Sequence, residues 1–188
     1  MDVSAPAGLA GTVTVEADNI TLSSTSVIDA SGATGGGNVL IGGDWQGGAN
    51  QERRVFDDAN AMRQATTVTM ESGASIDASA TDNGDGGTVV LWSDITNPNS
   101  ITTISGSIFA KGGENGGDGG QIETSGRTLD IAGISVNTLA ADGSAGDWLL
   151  DPGNIEILDS GSISTITSPY TAPSTTTNYS IRRPLKVH

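Results

Sequence analysis

The chain has no cysteine among its 188 residues, which excludes disulfides, thiolate metal sites and cysteine nucleophiles. Its one histidine is the final residue, His188, so an ordered Ser-His pair or a histidine-bound metal cannot be built elsewhere. Aromatic residues make up 4% and hydrophobic residues 35% of the chain, too little for an ordinary globular interior. Basic side chains number 8 against 22 acidic ones, a formal charge of −14. Such a chain repels phosphate backbones, and no basic stripe with interleaved aromatics offsets this, so nucleic acid is excluded as a partner. No stretch approaches the ~20 apolar residues of a membrane span, and "MDVSAPAGLAG" lacks the basic and apolar regions of a signal peptide. Membrane insertion is not expected. The glycines near Gly35 and Gly116 are as dense as a nucleotide loop, but no helix follows to point its N-terminus at a phosphate.

Glycine is abundant, at 27 residues, and Ser, Thr, Ala, Asn and Asp supply most of the remainder. This composition suits either disorder or an all-β repeat in which Gly and Asn make turns and Val and Ile make strands. Periodicity decides for the repeat. Counting from Gly11, apolar residues fall at Val13, Val15, Ile20 and Leu22. Counting from Gly120, Ile122, Thr124, Leu129 and Ile131 occupy the same offsets. Each block reaches another apolar pair and closes on a Gly-rich turn at Gly37 or Gly146, 26 residues after it opened. The third segment of a block is recognisable in "SVIDASGATGGG" from Ser26, "SIDASATDNGDGG" from Ser75, "SIFAKGGENGGDGG" from Ser107 and "SVNTLAADGSAGD" from Ser135. Strands keep their places while turns change length, as expected when strands must stay in register and turns face solvent.

One block cannot bury its inward face, but stacked blocks can, each strand bonding to its equivalent in the next turn at ~4.8 Å. The expected fold is an all-β, right-handed parallel β-helix over residues 9–167. It follows a short N-terminal end (1–8), carries an insertion at about 43–66 and precedes a flexible Ser/Thr/Pro-rich tail (168–188). Six or seven turns are expected, with Ser, Thr and Asn on the outward positions. "GDGG", written once from Gly84 and again from Gly117, marks the corner where one turn passes to the next, Gly supplying positive φ and Asp a bond to its own turn.

The insertion, "DWQGGANQERRVFDDANAMRQA", holds Trp45, Phe56, Arg53, Arg54 and Arg63. "RRVFDDANAMRQ" has the composition of a short helix or structured loop. The insertion either packs down on the coil through Phe56 and Met62, or carries a grafted binding site of Trp45, Arg53, Arg54 and Phe56. Paired carboxylates at Asp57–Asp58 and Asp82–Asp85 are the only candidates for glycan cleavage, and few cations accompany them in the coil to hold an anionic sugar. Asp29 and Asp77 track the repeat and read as turn or ladder groups. The glycine-rich stretches lack the nine-residue period of calcium-binding repeats and the carboxylate spacing of an EF-hand. No catalytic residue, metal ligand or cofactor is expected.

Four phrases, "GGDWQGG" from Gly42, "IDASATDNGDGGTVVLWSD" from Ile76, "GSIFAKGGENGGDGGQIETSG" from Gly106 and "GDWLLDPGNIEI" from Gly146, resemble the β-helical portion of filamentous haemagglutinin-like exoproteins, the large adhesins of bacterial two-partner secretion. The resemblance spans roughly residues 9–158. It implies a right-handed parallel β-helix, export through a dedicated outer-membrane transporter and a place on or beyond the cell surface. It further implies that this chain is an internal or C-terminal piece of a longer protein. The role of the family's Asn-Pro-Asn motif is not carried over to Asn97-Pro98-Asn99, which sits in a later type of repeat. Three roles follow as expectations: a non-enzymatic structural shaft, a module binding glycans or host surfaces through the insertion, or a polysaccharide-cleaving enzyme. Open coil ends also predict end-to-end self-association of an isolated segment.

Overall fold

The computed structural model describes residues 1–152, 154–159 and 162–167; the tail expected at 168–188 lies outside them. The first turn of a parallel coil contributes strands β1 (Thr12–Val15), β2 (Asn19–Leu22) and β3 (Val27–Asp29). The second contributes β4 (Asn38–Ile41), β5 (Thr67–Met70) and β6 (Ser75–Asp77). The third contributes β7 (Thr88–Trp92), β8 (Ile101–Ile104) and β9 (Ser107–Phe109), and the fourth β10 (Gln121–Gly126), β11 (Thr128–Asp130) and β12 (Ser135–Asn137). Strand β13 (Asp147–Pro152) opens a fifth.

Equivalent strands stack into three parallel sheets, β1-β4-β7-β10-β13, β2-β5-β8-β11 and β3-β6-β9-β12. Thr12 pairs with Asn38, Asn38 with Thr88, Thr88 with Gln121 and Gln121 with Asp147. Successive turns therefore take 26, 50, 33 and 26 residues, and every strand keeps its register. The inward columns Val13-Val39-Val89-Ile122, Ile20-Val68-Thr102-Leu129 and Ile28-Ile76-Ile108-Val136 fill the coil, with Leu129 in a small cluster beside Ile131 that Ile134 joins to the main core. Thr102 is the polar member of this set; its hydroxyl donates to the Ser125 carbonyl at 2.8 Å and pairs with the Ser93 hydroxyl at 2.8 Å.

The repeated "GDGG" is the corner tile. Gly87 lies so close to the turn below that a Cβ on it would meet the Gly37 carbonyl oxygen at 1.9 Å, and one on Gly120 would meet that of Gly87 at 2.1 Å. This close approach is what requires glycine; of the glycines in the two motifs only Gly117 takes the expected positive φ. The aspartates stitch the tiles together: Asp85 Oδ1 accepts from the Asp118 N–H at 2.8 Å, and Asp118 Oδ1 accepts from the Ser144 N–H at 2.7 Å. Asp29 and Asp77 occupy one column and accept from the N–H two residues on, Ser31 and Ser79, each at 2.9 Å.

Three expectations are corrected. Residues 1–8 are part of the coil rather than an end outside it: Asp2 bridges Asp29, Ala5 bridges Gly32, and the Ser4 N–H and hydroxyl both donate to Asp2 Oδ1, as those of Ser31 do to Asp29. The parallel coil does not run to residue 167, because β14 (Asn154–Asp159) and β15 (Ser162–Thr167) pair antiparallel with each other. The described stack is five strands deep at most instead of six or seven, about 20 Å at strand spacing. Long turns consume the chain that further coils would have needed.

Candidate functional site

Chain length varies most at one corner, between the first and second sheets. There the steps β1→β2 and β10→β11 take seven residues each, whereas Asn38 of β4 precedes Thr67 of β5 by 29. The extra segment folds back over the outer face of the first sheet. That face is apolar where ordinary outward positions would be polar: Leu40, Val90 and Trp92 are buried on it, packed with Trp45 and Met62 and flanked by Phe56, Ile95 and Leu149. The strands beneath, "NVLI" and "TVVLW", are near-continuous apolar runs, the pattern of a sheet covered on both sides. The expected polar outer surface therefore does not hold for this sheet. Trp92 Nε1 donates to Gln64 Oε1 at 3.0 Å, which satisfies the indole without leaving the cluster.

Two buried carboxylates organise the segment. Asp44 accepts from the N–H groups of Trp45 at 2.7 Å, Val55 at 2.8 Å and Phe56 at 2.8 Å, closing the loop upon itself. Glu123, on an outward position of β10 in register with Val90 and Leu149, is fully buried. Its Oε2 accepts from the Gln46 N–H at 2.8 Å and its Oε1 from the Ser125 hydroxyl at 2.8 Å. Burial pushes the Glu123 carboxyl up to about 7, against the lowering effect of these two donors and with help from the nearby Asp151 and Asp44 charges. Gln46 holds a left-handed backbone, φ 50° and ψ 41°, the only non-glycine residue at positive φ among those described. Asp58–Asn60 forms a single turn of 3-10 helix, whereas Trp45–Gly48 is a tight turn in which Gln46, Gly47 and Gly48 all have positive φ.

The four sequence-predicted residues do not converge. Trp45 is only 2% exposed and serves the cluster. Arg53 is exposed, its guanidinium 5.5 Å from the Trp45 ring centroid. These two border an open groove of about 370 Å³ with Gln46, Asn50, Asp147 and Trp148. Arg54 and Phe56 lie instead on a separate cavity of about 210 Å³, where Arg54 is ion-paired with Asp58 and Phe56 packs on the apolar cluster. Trp148, which the sequence argument passed over, is the tryptophan with an accessible face, at 36% exposure. Its Nε1 donates to Thr124 Oγ1 at 3.1 Å. Glu123 was also missed, although an acid at a position where neighbouring turns carry Leu40, Val90 and Leu149 is a signal that register alignment exposes. Among the described residues no cluster of three or more His, Cys, Asp or Glu side chains is placed to hold a metal ion.

No protein-family model matches the chain, and no curated protein matches it. A solved structure does: the HMW1 secretion domain from Haemophilus influenzae, with 31% sequence identity and a TM-score of 0.53 over 75% of this chain. The match covers 32% of that structure's chain, so the present chain spans about a third of its length. In sequence and in fold, this parallel β-helix is similar to part of that secretion domain.

Proposed function

We propose that the chain is a structural β-helical segment of an exported bacterial adhesin of the two-partner type, non-enzymatic, whose task is reach and rigidity on or beyond the cell surface. The observation that carries this reading is the stack itself. Three ladders in unbroken register, sealed by corners that only glycine can occupy, resist bending because each turn is bonded to the next along its whole circuit. Likeness to part of a secretion domain supports export, with an outer-membrane transporter as the partner of the longer protein. The test is passage of the purified chain over a broad glycan panel, with and without chelator, while assaying for cleaved products. A shaft is retained nowhere and releases nothing; cleavage that disappears on substituting an Asp pair would make the chain an enzyme instead.

A second reading, a module for glycans or host surfaces, is favoured by the groove beside the insertion. An accessible indole face at Trp148, the planar groups of Arg53, Asn50 and Gln46 and the Asp147 carboxylate suit the apolar faces and paired hydroxyls of a sugar. Retention on the same panel, lost in both Trp148→Ala and Arg53→Ala, would establish it.

A further inference from the structure

We propose that Glu123 is a proton-controlled latch that holds the insertion down on the first sheet and so sets the wall of the groove. The inference needs no ligand in that groove, and it stands or falls apart from either functional reading.

The geometry begins with a linkage across the fold. Glu123 belongs to the coil and Gln46 to the insertion, 77 residues apart in sequence, and the Glu123 carboxylate accepts the Gln46 N–H at 2.8 Å. Gln46 sits in a left-handed conformation that L-residues other than glycine rarely adopt, so something must hold it there. The bond to Glu123 and the turn closed by the Gly47 N–H on the Asp44 carbonyl do so. Gln46 lines the groove, so the latch and the groove wall share one backbone.

The surroundings of Glu123 then determine how the latch responds to protons. It lies in register with Val90 of β7 and Leu149 of β13, its own strand supplies the Ser125 hydroxyl, and the charges of Asp151 on β13 and Asp44 in the insertion act on it. The charged neighbours that act on it are both acids. Arg53 stacks on Trp45, Asp147 borders the groove, and the two ion pairs among the described residues are Arg54–Asp58 and Arg63–Asp18, so none of these cations neutralises Glu123. A neutral carboxyl tolerates this place; an ionised one must be dried and set against two like charges.

The sign follows from linkage. An undocked, hydrated Glu123 titrates near 4.5 and the docked one near 7. Docking is at full strength below about 4.5, weakens as pH rises through 7, and is constant above that. Opening should become more frequent by on the order of a hundredfold between pH 4.5 and 8.

Amide exchange of the whole chain, followed by NMR and corrected for intrinsic rates, tests this. Protection of the Gln46, Val55 and Phe56 amides should fall on the order of a hundredfold from pH 5 to 8, while the β7 amides of Val89 and Leu91 stay unchanged. Glu123→Gln, neutral at every pH and still able to accept from Gln46, should give slow exchange independent of pH. In the unsubstituted chain, the opening constant should reach half its high-pH value at the midpoint of the Glu123 carboxyl-carbon titration. Constant corrected protection in the unsubstituted chain would overturn the latch. So would a pH dependence that survives in Glu123→Gln, which would pass the role to Asp44 or Asp151, or midpoints more than about one pH unit apart.

Discussion

The outer faces of the first and second sheets are built on the same ladder and solve opposite problems. In the second sheet the outward column runs Thr21-Thr69-Thr103-Asp130, short polar side chains that meet water. In the first, the corresponding column runs Leu40-Val90-Glu123-Leu149 beneath a folded segment. Backbone register is identical in kind, so the difference lies wholly in side chains and in one long corner. A parallel coil thus takes a second layer on one side without altering its core, because alternate residues on each strand face away from it.

That contrast can be broken at its strongest point first. Trp92→Ala removes the largest side chain of the covered face and the partner of Gln64, and should cost about 3–5 kcal/mol in thermal or denaturant unfolding. Gly87→Ala tests the corner beneath both sheets; its methyl would fall 1.9 Å from the Gly37 carbonyl oxygen, and a loss of about 3 kcal/mol is expected by the same measurement. Next comes acidity: because burial raises Glu123, its contribution is present at pH 4.5 and lost by pH 7, so Glu123→Gln should gain on the parent chain by on the order of 2–3 kcal/mol at pH 8 and not at pH 4.5. Arg53→Ala should cost under about 1 kcal/mol, as an exposed cation over a ring does. Smallest of all, Thr69→Ala on the bare face should stay within about 0.5 kcal/mol, and a larger loss there would mean that the second sheet too has a covering layer.

The coil was legible because its signals are local and repeated. Val13, Ile20 and Ile122 recur at fixed offsets, and glycine marks each corner, so register follows from counting. The start of the coil was legible too, but overlooked: "DVS" at Asp2 repeats "DAS" at Asp29 and at Asp77, and all three form the same side-chain turn. The antiparallel pair after Pro152 was not, since "NIEILD" and "SISTIT" alternate as a coil strand would, and direction of pairing is a property of the partner. The site divides in the same way. The packing of Phe56 and Met62 could be anticipated from an apolar residue in an insertion, whereas the burial of Trp45 under Arg53 depends on how the segment lies across strands far from it in sequence. Glu123 is buried by residues 77 positions away, and no pattern within "QIETS" announces that.

The uneven corner has a further consequence. Seven residues suffice to pass from the first sheet to the second, yet the four circuits spend 7, 29, 13 and 7 residues on that step. Additions enter there while the other corners stay nearly constant, so whatever the turns carry emerges along one flank of the rod. The molecule consequently has a front and a back. Its front can be rewritten turn by turn without disturbing the back, and lengthening the rod multiplies the places for display without changing which way they look.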